Sequence, residues 1–441
     1  MGQIIKILQL LLFALLILAL IIPESYLILS ITLSITLFMY FIFLFGKQDV
    51  ILEFIVLMAI VQWLISPIIS YEVFDKIPLM AVDARSYFDI ILPSSILFSI
   101  AALYPFSKRK IIWNKNPKVL FVTTLVITLG FINYVSFPYL PGAFKNLAVN
   151  FNYLILIGFF YIFFIVEKYK TIATLLVLTY FLINAAKSGM FADILVWGFF
   201  FFNLYFQKKN YSFLFKLSFI TISMLFFMPI QSLKQEYRQV IWHQNNKAGV
   251  NKIQLVTSLY KDYMLNPKKI MSAGSLSSYN GRLNQGAIIS KTIEHVPKSE
   301  AFANGETIVR AIKASILPRL LNPSKPKIGG RHMYPRFTGQ KLLGKTSANI
   351  SPMGEAYVNF GPFGGAVFMF CFGLFLNFAI SLCFLIAKKR TKFMLWIPLL
   401  FNSALFLGRD MHSILNSMSK TLFFIFFLYW GFRIIFKIKL F

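Results

Sequence analysis

Arginine can hold a diphosphate without help from a metal, because its planar guanidinium offers two parallel N–H donors and stays charged in a partly dry site. Six arginines fall between Gln231 and Pro352: Arg238, Arg282, Arg310, Arg319, Arg331 and Arg336, with Lys325 and Lys327 among them. The whole stretch holds 19 Lys or Arg against five acids, Glu236, Asp262, Glu294, Glu300 and Glu306, which is half of the chain's formal charge of +28. Such a surplus suits anions. A solvated face or contact with anionic lipid headgroups would account for any one of these cations, but as a group between long apolar runs they point to an anion site.

Carboxylates supply the other half of the chemistry. Glu355 closes the polar stretch just before an apolar run, where a ligand held by the stretch would meet the membrane, and a carboxylate placed there can serve as a general base. Glu53, Asp89 and Asp193 lie within apolar runs and are candidates by that placement, with a partner inside the bundle as the alternative. Lys187 stands six residues before Asp193, a spacing that suits a structural ion pair across a tight turn. Gly339–Thr346 fits G-x-x-x-x-G-K-T, but no buried strand leads into it and no helix start follows, so a nucleotide loop is not expected there; Lys345 and its amides could still sit near a phosphate. No D-x-D occurs, and His243, His295, His332 and His412 show no ligand spacing, so no metal and no cofactor are expected. A G-x-S-x-G nucleophile elbow is also absent.

The elements that must position these residues are membrane helices. With 58% hydrophobic residues and 51 Phe in 441, the chain lies outside the composition of soluble domains. Windows of about 20 apolar residues predict an all-α polytopic membrane protein with twelve transmembrane helices, near 4–22, 26–45, 50–69, 87–106, 119–137, 147–166, 171–186, 190–206, 213–230, 362–386, 393–408 and 418–436. The first is read as a retained helix, because no small-residue cleavage site follows it. Placing both termini in the cytoplasm puts 19 Lys or Arg on the inner face and six in the short outer loops, which satisfies the positive-inside rule. The large basic loop, between helices 9 and 10, is then extracytoplasmic. The chain divides accordingly into a bundle over 1–230, a basic cap over 231–352 and a second bundle over 353–441. Within the cap, Ile308, Ile312 and Ile316 recur at helical spacing before Pro318 and predict an interfacial helix, while 318–352 reads as ordered loop. Cys371 and Cys383 are twelve residues apart in one apolar run, about 18 Å along a helix, and cannot pair with each other.

The run Ile316-Leu-Pro318-Arg319-Leu-Leu-Asn-Pro323-Ser-Lys325-Pro326, followed by Gly354-Glu355-Ala-Tyr357-Val-Asn359-Phe360-Gly361, resembles the Wzy-type O-antigen polymerases, which join oligosaccharide repeat units of bacterial surface polysaccharide. The likeness covers Arg282 to Leu376. It extends to Lys187-Ser188-Gly189, where an Arg is more typical of the family, and to an R-x10-G spacing from Arg319 to Gly330. The resemblance implies a metal-independent glycosyltransferase of the bacterial cytoplasmic membrane, working at its outer face on undecaprenyl-diphosphate-linked donor and acceptor. Membrane lipids, a chain-length regulator and a flippase are the implied partners; nucleic acid is not. On this view Arg238, Arg282, Arg319, Lys325, Arg331, Arg336 and Lys187 hold the diphosphate, and Glu355, Arg282 and Arg319 form the catalytic set. An O-antigen ligase acting on lipid A-core, or a transporter of lipid-linked oligosaccharide, remains the alternative.

Overall fold

A backbone surrounded by hydrocarbon must satisfy its N–H and C=O groups internally, so apolar runs of membrane length fold as helices. The computed structural model describes residues 2–74, 79–105, 109–110, 116–188, 192–209, 211–238, 252–270, 273–316, 330–342 and 347–441, and among them there is no β-strand. Among the described residues, seven helices are long and apolar enough to cross a membrane: Gln3–Ile21, Pro23–Leu44, Ile51–Glu72, Leu120–Tyr139, Ala148–Val166, Ser351–Lys389 and Met411–Ile435. Lys170–Asn184, Phe213–Phe227 and Thr391–Phe401 are apolar but shorter.

We number the helices used below α1 (Gly2–Ile21), α2 (Tyr26–Leu44), α3 (Ile51–Glu72, with a π turn at Val61–Ile65), α4 (Ala84–Ala102), α5 (Leu120–Ser136), α6 (Leu154–Tyr161), α7 (Lys170–Ser188), α8 (Ala192–Tyr205), α9 (Phe213–Arg238), α10 (Lys252–Leu265), α11 (Ala273–Leu283), α12 (Gly286–His295), α13 (Glu306–Ile316), α14 (Met333–Thr338), α15 (Ser351–Lys389), α16 (Thr391–Phe401) and α17 (Met411–Ile435). The chain packs as two units, one of residues 1–109, 280–385 and 400–420, the other of 110–279, 386–399 and 421–441.

In the first unit, α15 approaches α4 closely because position 373 is glycine: a methyl group there would stand 2.7 Å from the carbonyl oxygen of Phe98. Asn377, one turn on, donates to the carbonyls of Ala101 (3.2 Å) and Tyr104 (2.6 Å), satisfying groups left over at the end of α4. Glu53 is buried and takes a two-pronged bond from Arg109, so its apolar surroundings are answered by a structural ion pair. Asp89 is half exposed, beside Arg85 on its own helix at 4.0 Å. Asn280 and Asn284 both donate to Ser70 Oγ at 2.7 Å, and Ser290 Oγ accepts from Ala81 N at 3.0 Å. Packing therefore groups the chain differently from hydropathy. Residues 280–352 belong with the N-terminal helices, while 231–279 belong with the second unit.

The second unit is built on close aromatic packing. Helices α5 and α6 approach closely at Gly130 and Gly158, where a methyl group would meet Ile155 N at 2.9 Å and run into the Ile127 side chain; small residues at a helix crossing let backbones approach. Phe160 and Phe164 pack tilted against Phe201, and Phe163 meets it edge to face. Trp396 Nε1 donates to Tyr161 Oη, which donates to Leu440 O. Tyr237 and Tyr263 form a buried pair with Ile194, Leu255 and Leu259, and Tyr263 donates to Glu236 at 2.7 Å. Helix α9 accordingly continues to Arg238 rather than ending at 230.

Two helices differ in kind from the sequence expectation. The segment 318–352 contains a helix, α14, and α13 buries Thr307, Ile308, Ala311, Ala314 and Ser315 while Ile312 and Ile316 face outward, so the spaced isoleucines are not its buried stripe. Cys371 and Cys383 are both free thiols.

Helix α15 is bent at Gly361, which has φ 69° and ψ −168°, a region open essentially to glycine alone. The Phe302 ring lies 3.4 Å from where a side chain would begin. Gly361→Ala should therefore lower stability by about 1–3 kcal/mol, read as a fall in the thermal unfolding midpoint of the detergent-solubilised protein; an unchanged midpoint would refute the strained geometry.

Candidate functional site

Six and two residues before that bend, on the same helix face, α15 carries Glu355 and Asn359. Both are fully buried. Glu355 Oε1 accepts from the Thr307 hydroxyl of α13 at 2.8 Å, and Oε2 accepts from the Met411 amide at the start of α17 at 2.9 Å. Asn359 Nδ2 donates to Thr307 Oγ1 and to the Glu355 carbonyl, each at 2.7 Å. Asp410 caps α17, accepting from Ser413 N at 2.8 Å. One carboxylate thus ties together three helices that are distant in sequence.

A second strand of contacts fixes the same seat. Ala303 N donates to Val358 O (2.9 Å), Tyr357 Oη donates to Val296 O (2.9 Å), and the Phe302 and Tyr357 rings meet edge to face at 5.9 Å. Residues 296–305 therefore strap the kinked part of α15. Asn359 Oδ1 is buried and has no hydrogen-bond partner among the described residues, an acceptor that a hydroxyl or amide would satisfy.

Glu355 is engaged within the protein. It has 0% exposure and both oxygens already accept hydrogen bonds. Arg336 is also engaged within the protein. Its guanidinium bonds Glu300 at 2.6 Å and Glu306 at 3.0 Å, and those hydrogen bonds, Glu300 first, hold it above the usual arginine range; its fork is closed by two carboxylates. Arg282 and Arg331 are exposed, Arg282 in the last turn of α11. No arginine bonds Glu355 among the described residues. Arg319, Lys325, Lys327 and Lys345 lie outside the described residues. Lys187 and Arg238 fall in the last turns of α7 and α9, and their side chains lie outside that set. Gly339 is the left-handed cap of α14, with φ 68°, so the sequence match to a nucleotide loop begins at a helix end. Among the described residues no three His, Cys, Asp or Glu stand close enough to hold a metal.

Thr307, Asn359, Asp410 and the Met411 amide were missed by sequence reasoning. The four-residue spacing of Glu355 and Asn359, which puts both on one helix face, was the available signal for Asn359; Thr307 had none.

A family model matches the chain over residues 90–435, a domain of unknown function, DUF8712. The chain belongs to the DUF8712 family. No curated protein and no solved structure matches it. The DUF8712 region runs from within α4 to the end of α17 and so includes Glu355, Thr307, Asn359 and Asp410, together with every candidate cation of the basic segment.

Glu355→Ala leaves the Thr307 hydroxyl and the Met411 amide without an acceptor, each costing about 1–3 kcal/mol. Glu355→Gln can still accept from Met411 and donate to Thr307. The unfolding midpoint should fall clearly for the Ala variant and little for the Gln variant, and equal falls would mean that the carboxylate does not hold these helices.

Proposed function

We propose that this chain is a membrane glycosyltransferase that polymerises polyprenyl-diphosphate-linked oligosaccharide repeat units, in the manner of the O-antigen polymerases its sequence resembles. The observation that carries this reading is the seat of Glu355 to Gly361: the segment with the strongest likeness is also the one to which α13 and α17 are bonded. The apolar helices and the basic segment 231–352 fit a substrate that is half lipid and half sugar diphosphate. In the proposed arrangement twelve helices span the cytoplasmic membrane, both ends are cytoplasmic and the basic segment is outside.

The chemistry follows from the charges. Cleaving the sugar–diphosphate bond builds negative charge on the leaving diphosphate, which Arg282, Arg331, Arg319, Lys325, Arg238 and Lys187 are proposed to stabilise. Arg336, already bonded to Glu300 and Glu306, is assigned to holding α13 and α14. Glu355 is proposed as a positioning residue that fixes α13 and the start of α17, and not as the base that takes the acceptor's proton.

Three measurements test this. A periplasmic reporter fused near Gln285 should be active and one near Asn114 silent; the reverse would overturn the topology and the site with it. In a deletion strain, loss of the polysaccharide ladder with one repeat unit retained would support a polymerase, whereas loss of every repeat would point to a ligase or a flippase. Finally, Arg282→Lys keeps charge but loses the fork and should remove most chain extension, whereas Glu355→Gln should stay within about tenfold of wild type. A Glu355→Gln loss of about 10²–10⁴-fold at an unchanged unfolding midpoint would restore the general-base role.

A further inference from the structure

Helix α13 is held along α17. Thr307 Oγ1 and Met411 N converge on one carboxylate, and eight residues further on in each helix Ser419 Oγ donates to Ser315 O at 2.6 Å. Equal steps between two contacts mean that the helices run side by side in the same direction for about 12 Å. The helix α17 is one of those able to cross a membrane, and α13 runs beside its first turns.

The face that α13 turns inward is mostly of small residues: Thr307, Ala311, Ala314 and Ser315 are buried, with Ile308 beside them. Its outer face exposes Val309 (50%), Ile312 (47%) and Ile316 (59%), which at 100° per residue form one strip about 60° wide. Arg310 and Lys313, both exposed, stand on one flank of that strip. Glu306, the acid of the first turn, is engaged by Arg336 and does not neutralise them. An aliphatic strip beside a membrane-length helix suits hydrocarbon, and cations with long stems along its edge suit phosphate.

We propose that an anionic phospholipid occupies the outer face of α13, with an acyl chain along Val309, Ile312 and Ile316 and its headgroup phosphate between Arg310 and Lys313. The occupant is set by charge: the strip alone would take any lipid, and the paired cations select an anionic one. Because the opposite face of α13 holds Glu355 through Thr307, the bound lipid sits one helix away from the buried network. This inference does not depend on the proposed polymerase activity.

The full chain in nanodiscs tests it, with Cys371→Ser removing the exposed thiol and Ile312→Cys carrying a bimane label. Brominated phosphatidylglycerol should quench the label at least twofold more than brominated phosphatidylcholine at the same mole fraction. In Arg310→Gln/Lys313→Gln the two lipids should quench equally. Absence of quenching by either lipid, equal quenching with the cations intact, or an unchanged preference in the double variant would each overturn the proposal. Native mass spectrometry of the unlabelled chain is the second measure: phosphatidylglycerol retention should drop in the double variant and persist in Lys298→Gln, an exposed cation outside α13, and the same retention in all three proteins would refute the site.

Discussion

A carboxylate taken out of water must be given donors, and Glu355 obtains them from two other helices. That requirement organises the first unit. Thr307 brings in α13, the Met411 amide brings in α17, and Asn359 of α15 donates in turn to the Thr307 hydroxyl. Burying a charge without partners is among the costliest events in folding, so these three helices are joined by a demand for polar satisfaction that apolar packing in a bilayer could not impose: lipid tails are as apolar as the side chains they touch. The bend at Gly361 follows from the same seat, since the strap from Val296 to Gly305 bonds α15 just before it.

Hydropathy made the apolar helices legible but not the polar turns that lead into them. The tenth span was expected to begin at 362, and Gly361, at φ 69° and ψ −168°, does interrupt the helix just before that point; the helical stretch from Ser351 that precedes the bend was not expected. The last span was expected from 418, yet α17 starts at Met411. Its first ten residues include His412, Ser413, Asn416, Ser419 and Lys420, too polar for a hydropathy window, and they are helical because Asp410 caps them and Glu355 accepts the first amide. Caps and buried partners set these boundaries, and neither is an average over a window.

The site was legible only where charge marked it. Glu355 was conspicuous as an acid at the edge of an apolar run, whereas Thr307 is an ordinary residue 48 positions away whose importance lies in one hydrogen bond. Arg336 carried the opposite ambiguity. Its type suggested an anion ligand, and only the fold could reveal that Glu300 and Glu306, 36 and 30 residues earlier, reach it first. Sequence shows which side chains could bind an anion; which of them are already bound to each other is a property of the packed chain.

The parallel course of α13 and α17 has an electrostatic consequence. Two neighbouring helices pointing the same way set their macrodipoles side by side, with both positive ends together, an arrangement that repels where an antiparallel pair would attract. At that shared positive end stand Glu306 in the first turn of α13, Asp410 at the cap of α17 and Glu355 between them. A carboxylate at a helix start is worth about 0.3–1 kcal/mol, so the three acids offset the repulsion that the parallel alignment creates. The repulsion is thus met at the end where α13 and α17 begin, and the Ser315 to Ser419 contact holds them eight residues further on.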